Sequence, residues 1–303
     1  VFSFLLRRIL YAVPILVGTT FLLFLIFNVV PGDPAIQIAG KHATAESIEN
    51  IRRQLGLDLP WYQQYFRVLM QLATLDFGIS YTEHVPIKDI ILERGLVSFS
   101  LVFPPFVISI LLSLGLGIFV AMNRGNWIDK WAVALCVGGQ SISILVYIVL
   151  GQYFLAYKLK WFEIHGPDSF VLPGIIYVVL SLAPQVRFYR TAVLDELYQD
   201  YVRTARSKGL GTKSVMFKHV LKNAMIPIIT DVVISIPFLI LGALLLEAYF
   251  GVPGLGNFIV NAIRDSDRPG LVAITFVGTA LYIVFNLISD VLYAVVDPRV
   301  QFK

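Results

Sequence analysis

The chain has 303 residues, 57% hydrophobic and only 15% charged, with a mean hydropathy of +0.76 and a net charge of +4. Soluble domains carry about 25% charged residues, so this composition excludes an ordinary water-facing surface. The apolar residues come in runs comparable to the roughly 20 that a helix needs to cross the hydrocarbon, which makes the chain an integral membrane protein. Cys136 stands alone in one of those runs, so no disulfide framework can form. His42, His84, His165 and His219 lack ligand spacing, and no metal, cofactor or nucleic-acid partner is expected.

Six spans are predicted: 9–30, 96–122, 131–157, 171–189, 224–246 and 271–296. The first run is too long and too rich in Phe and Leu for a cleaved leader, and it is read as a retained span. Arg7 and Arg8 before it place the N-terminus in the cytoplasm by the excess of Lys and Arg on that side. Residues 31–95 then lie outside, opening with the turn PGDP. Next, Thr44 is placed to cap a helix whose Ile48, Ile51 and Leu55 share a face, and Gly56 is placed to end it. Trp61, Tyr65, Phe66, Leu69 and Leu72 repeat at helical spacing, which suits a helix lying in the membrane interface, either packed on the span tops or presenting a docking surface.

The second span contains Pro104-Pro105, the fourth Pro184 and the fifth Pro237. Proline inside a span is tolerated where neighbouring protein or water satisfies the freed carbonyl, so three such spans point to a working bundle. The short loop 123–130 carries Arg124 and Lys130 and falls inside; Lys158 and Lys160 fall outside, against the charge rule. With six spans, the tail DPRVQFK is cytoplasmic. Gln140, Ser141 and Ser143 in span three, Asp231 in span five and Asn286 in span six are candidates for a polar translocation path. Each has a structural alternative, as helix-to-helix hydrogen bonds or, for Asp231 and Asp290, as pairs near the cytoplasmic boundary.

Between spans four and five, DYVRTARSKGLGTKSVMFKHVLKNAMIP concentrates Arg203, Arg206, Lys208, Lys213, Lys218 and Lys222, with Arg187 and Arg190 just upstream. A positive inner loop explains the sign of the charge, but a plain connection needs only a few residues. The segment reads as a helix along Leu194, Leu197, Tyr201 and Ala205, a break at Gly209-Leu210-Gly211, and a second helix merging into span five. GLGTKS is not a phosphate loop: Thr212 precedes Lys213 and Arg206 occupies the upstream glycine position. An elbow inserted into a partner accounts for both length and pattern.

This elbow resembles the cytoplasmic EAA loop of ABC-importer permeases, with Arg203-Thr204-Ala205 in place of Glu-Ala-Ala, Gly209 as the glycine and Leu221 in the closing motif. YVRTARSKGL with KHVLKNAMIP is similar to the version in the dipeptide/oligopeptide/nickel branch, where the proline falls later, as Pro227 does. LRRIL, PGDP, LGLDLPWYQQY, LDFGIS, FGVPGLG and DVLYAVVDPR follow that branch in order along nearly the whole chain. The resemblance implies an all-α, type I ABC-importer permease fold of six transmembrane helices, with a helical coupling elbow and a mostly helical periplasmic segment. It divides the chain into 1–30, a periplasmic 31–95, and a permease core 96–303 with the coupling loop 190–223.

By the same resemblance Tyr201, Arg203, Thr204, Ala205, Arg206, Lys208, Gly209 and Leu210 dock an ATPase subunit. The turn at Gly251, Pro253, Gly254 and Gly256 caps the outer mouth. The implied partners are a homologous second permease, two cytoplasmic ATPase subunits, an extracytoplasmic substrate-binding protein and the bilayer of a bacterial inner membrane. The chain itself carries no ATP site and is expected not to be an enzyme. A self-sufficient secondary transporter would show broken helices and internal repeats, and a membrane hydrolase would need a nucleophile and base within the spans; neither pattern is legible.

Overall fold

The computed structural model describes residues 2–29, 34–39, 44–163 and 170–296. Residues 31–33 of the PGDP turn and the tail 297–303 lie outside the described residues. Among those described the chain is helical, apart from one bridge between Ile79 and Pro86. It opens with α1 (Phe2–Val29), followed by α2 (Pro34–Ala39), α3 (Ala45–Leu55) and α4 (Trp61–Ala73).

The outer helices form for the local reasons their sequence announces. The Thr44 hydroxyl accepts the Ser47 N–H at 3.3 Å at the start of α3. At its end Gly56 turns left-handed at φ 67°, so that the Gly56 and Leu57 amides close on the carbonyls of Arg53 and Arg52. α4 packs on the first helix through one face. Tyr65 packs its ring against Phe21 and Phe24 of α1 and donates its hydroxyl to the Val17 carbonyl at 2.8 Å. On the same helix Trp61, Tyr62, Phe66 and Met70 remain exposed as an apolar stripe.

The bundle continues with α5 (Ile87–Met122), α6 (Trp127–Ser141), and α7 (Ile144–Gly151), which widens into a π-helical turn over Gln152–Lys158. After α8 (Val171–Leu197) come α9 (Asp200–Ser207), α10 (Thr212–Val215) and a second π-helical turn, Met216–Val220. α11 (Leu221–Leu241), α12 (Leu244–Phe250), α13 (Leu255–Arg264) and α14 (Arg268–Val296) complete the chain. Four runs are long and apolar enough to cross a membrane: Ile87–Met122, Val171–Leu197, Thr212–Phe250 and Arg268–Leu292. The pair Trp127–Ser141 and Ile144–Lys158 makes a fifth if taken as one span. The first predicted span falls on α1, whose stretch Leu10–Ile26 is apolar.

Span three departs from its prediction, because its two halves meet at 88°. The break falls where Gly138 and Gly139 weaken the helix, Ile142 becomes extended, and the Ser143 side chain caps the next helix through the Leu145 N–H. Elsewhere the predicted prolines are absorbed: α5 runs through Pro104 and Pro105, and α8 through Pro184.

The closest helix pair, α5 with α8, rests on small residues at four-residue spacing. Ser109, Ser113, Gly117 and Ala121 are all buried on one stripe of α5, which lets backbones approach without a hydrophobic drive in lipid. A Cβ at Gly117 would lie 3.0 Å from the Tyr189 Cβ and 3.1 Å from the Arg190 amide. The Ser113 hydroxyl crosses to the Gln185 side-chain carbonyl at 3.0 Å. On the outside Leu111, Leu135 and Val284 are exposed, an arrangement that suits lipid and not water.

Candidate functional site

The basic stretch folds into an elbow standing on the ends of two spans. It was read as one helix running from Leu194 to Gly209, but the structure divides it: α8 stops at Leu197, and Gln199 is extended ahead of α9. The turn swings α9 back so that Val202 and Ala205 bury themselves with Val215, Met216 and Val220 against Ala121 of α5 and Val193 and Leu194 of α8. Tertiary burial thus overrides the continuous helical pattern. With Val202 and Ala205 turned inward, Arg203, Thr204, Arg206 and Lys208 face out, and Leu210 beyond the turn is exposed as well. Seven of the eight proposed docking residues cluster on this one short structure with an outward or intermediate position; Ala205 alone is buried beneath it.

Gly209 ends α9 with φ 80°. Its amide closes on the Arg206 carbonyl at 2.9 Å and the Leu210 amide on the Ala205 carbonyl at 3.4 Å, a Schellman turn. Nothing lies within 4 Å of where a Cβ would be placed, so the glycine is required by backbone conformation and not by space. Past the turn a single helical run, Thr212–Phe250, leads from the elbow across the bundle, through Pro227 and Pro237.

Polar clamps tie this elbow to its neighbours. The Tyr201 hydroxyl donates to the Glu196 carboxylate at the end of α8. Burial, reinforced by that carboxylate, pushes Tyr201 up to about 12, so it stays protonated and a donor at neutral pH. Arg190 of α8 grips Asp129 of α6 with both prongs, Nε to Oδ1 at 2.7 Å and Nη2 to Oδ2 at 2.9 Å. The Gly125 amide adds a third bond to the same carboxylate at 3.0 Å. Arg124 lies over the Tyr198 ring at 4.7 Å, a cation–π contact between the loop 123–126 and the α8–α9 turn. The sequence reading took Arg190 and Arg124 as loop charges and missed both pairings, since Asp129 lies 61 residues from Arg190 and Tyr198 lies 74 residues from Arg124.

The candidates for a translocation path do not form one cluster. Gln140, Ser141 and Ser143 sit exposed at the break in span three, where Arg187 of α8 donates to the Gln140 side-chain oxygen Oε1 at 3.0 Å. The Ser141 hydroxyl is spent on the Val137 carbonyl. Asp231 of α11 lies in the electrostatic neighbourhood of the buried Tyr189 hydroxyl, which has no hydrogen bond within the described structure. Asn286 is half-buried on α14. Among the described residues no hydrogen bond joins the Gln140 group to Asp231 or Asn286.

At the far end of the Thr212–Phe250 run sits a residue the sequence reading passed over. Glu247 is fully buried; it accepts the Ala243 amide at 3.1 Å and the Asn257 amide at 3.2 Å, with the Ser98 hydroxyl and the Gly256 amide as further donors. Ser98 in turn accepts the Leu255 amide at 2.8 Å, joining α5 to α13. Three glycines make room for this carboxylate: a Cβ at Gly242, Gly254 or Gly256 would fall 2.0, 2.3 or 2.8 Å from a Glu247 oxygen. The signal was present in LLLEAYFGVPGLG as a lone acid between an apolar run and a glycine-rich turn. The turn, read as a cap on the outer mouth, is in structural terms a shell around the buried Glu247 carboxyl group.

Residues 113–302 match the model described as binding-protein-dependent transport system inner membrane component, and residues 1–102 match the corresponding N-terminal membrane component. The glutathione transport system permease protein GsiC of Escherichia coli K12 is 34% identical over 304 residues, covering 99% of each chain. The GsiC protein of Shigella dysenteriae serotype 1 matches to the same extent. A solved amino acid ABC transporter with histidines aligns over 70% of this chain and 95% of its own at 14% identity and a TM-score of 0.48. The chain belongs to the binding-protein-dependent transport system inner-membrane family, as a multi-pass ABC-importer permease of the peptide/nickel type and not itself an enzyme.

Proposed function

We propose that the chain pairs with a homologous permease to form a pathway for peptide-like solutes, coupled to ATP hydrolysis through the elbow around Gly209. The observation that carries this is the division of α9: Val202 and Ala205 are buried on the ends of α5 and α8, while Arg203, Thr204, Arg206 and Lys208 project outward. Two cytoplasmic ATPase subunits take the exposed face, one on each permease. The charges there set docking orientation and rate more than affinity. Closure of the ATPase pair moves α9, and the run Thr212–Phe250 carries the movement to the outer turn, giving alternating access.

The fit of the whole chain to glutathione permeases supports a small peptide-like cargo, glutathione or a di- or oligopeptide, delivered by an extracytoplasmic binding protein. Six spans with both termini in the cytoplasm, residues 31–95 outside and the core at 96–303 complete the reading. Gln140, Ser141, Ser143, Asp231 and Asn286 are proposed to meet the solute only when the partner permease closes the pathway. The broken third span is a feature of secondary transporters too, but a single break does not favour that reading over the elbow.

The test is ATP hydrolysis by the complex that co-purifies with the tagged chain in mild detergent. ATPase subunits should accompany the chain and be lost when Arg203→Glu, Arg206→Glu and Gly209→Val are combined. A chain that purifies alone and moves solute under an ion gradient would sink the proposal.

A further inference from the structure

A cavity of about 600 Å³ lies between the outer segment and the start of α14, away from the elbow and from the polar residues of the spans. Its size falls within the roughly 300–1,000 Å³ of sites that take small organic ligands. Leu72 and Val272 contribute apolar wall, and Arg67, Arg268, Asp76 and Gln64 supply the polar groups. These come from two chain regions some 200 residues apart in number, so the juxtaposition is a product of the fold.

The polar groups are placed by local structure. Arg67 has no ion-pair partner among the described residues, and its guanidinium occupies the space left by the missing side chain of Gly56: a Cβ there would be 2.1 Å from Nη1. Gln64 spends its amide N–H groups on the Leu57 and Leu59 carbonyls at 3.1 and 2.8 Å. That leaves its side-chain oxygen to accept. Asp76 uses one carboxylate oxygen on the Gly78 amide at 3.3 Å. The lining therefore offers the Arg67 guanidinium for a carboxylate, and a carboxylate with an amide oxygen for an ammonium group.

We infer that this cavity is a receiving site for zwitterionic peptide-like solutes on the outer face of the permease, with Arg67 holding the solute's carboxylate and Asp76 its ammonium. The inference rests on the import reading for the side from which solute arrives. The Arg67 guanidinium favours solutes with a free C-terminus over those with an amidated one.

The test uses right-side-out vesicles holding the whole transporter, without ATP and without binding protein, with Cys136→Ser and a reporter cysteine from Val68→Cys. A membrane-impermeant maleimide should react with the reporter, and millimolar triglycine should slow the reaction at least threefold. Triglycine amide and inorganic phosphate should leave the rate unchanged. Arg67→Gln should abolish protection by triglycine without altering the unprotected rate, and Gly56→Ala should weaken it by displacing the guanidinium. A reporter from Glu46→Cys, outside the cavity, should never be protected.

Equal protection by the amide or by phosphate would make this a general crevice or an anion site and overturn the inference. So would protection that survives Arg67→Gln, or absence of protection at Val68→Cys and at a second reporter, Gln71→Cys. ATP-driven uptake in matched vesicles separates the failures: uptake without protection sinks only the receiving site, and protection without uptake sinks only the import reading.

Discussion

Two glycine turns, one just ahead of the run Thr212–Phe250 and one inside it, share a backbone geometry and differ in their surroundings. Gly209, before it, and Gly242, within its outer part, both have φ 80°. Around Gly209 a Cβ would meet nothing, whereas at Gly242 it would fall 2.0 Å from a Glu247 oxygen. The inner turn is open, exposed and flanked by cations; the outer turn encloses a fully buried carboxylate held by backbone amides. One end, with its exposed cations, is the face proposed to meet another protein. The other is shaped to hold its own helices, α5, α12 and α13, in a single unit.

The largest effect that would break this contrast is Glu247→Ala. It strands several buried amide donors and empties the glycine shell, and should cost about 3 kcal/mol or more, since each unsatisfied buried group costs roughly 1–3 kcal/mol. Thermal unfolding in detergent would show it as a steep loss of folded protein. A variant as stable as the parent would refute the shell as a structural centre. Asp129→Ala comes next, at about 3 kcal/mol for breaking a largely buried pair, and Arg190→Ala should match it. If the two losses add fully in the double variant, the bidentate pair is not what stabilises either residue.

Gly209→Ala should cost only about 1–2 kcal/mol, the penalty for a side chain in the left-handed region, because no neighbour is struck. Gly209→Val should be somewhat worse through its branched side chain, and should separate ATP hydrolysis from transport while membrane insertion persists. Coupled transport at the parental ratio would count against the elbow. The smallest structural effect belongs to the labelling pair Glu46→Cys and Lys213→Cys, exposed positions whose changes should stay within about 0.5 kcal/mol. Impermeant reagent applied outside should reach the first and not the second; the reverse would overturn the sidedness on which the inner-and-outer comparison depends.

The legible parts of the sequence were those governed by neighbours along the chain. Thr44 and Gly56 bounded α3 as their cap chemistry requires, Gly209 ended α9 in a left-handed turn, and the second helix of the elbow ran on through Pro227. The aromatic spacing of α4 identified a helix but not its environment, and the structure seats Tyr65 against Phe21 and Phe24 of α1. Where the reading went astray, the deciding contact was remote. The helix through Tyr198 and Gln199 broke because Val202 and Ala205 had a hydrophobic seat on α5 and α8. Span three bent at a Gly-Gly and Ser-rich stretch whose cap outweighed continuity.

By itself, then, the sequence determined a membrane protein, its helices and their caps, the elbow, and the family resemblance, because hydropathy and capping act within a few residues. Only tertiary structure decided which polar residues were working parts. Asp129 met Arg190 across 61 positions, Ser98 met the α13 turn across 157, and Glu247 gathered three glycines. In a low-dielectric bundle a buried charge must find its partners, and no linear pattern names partners that only the fold brings together.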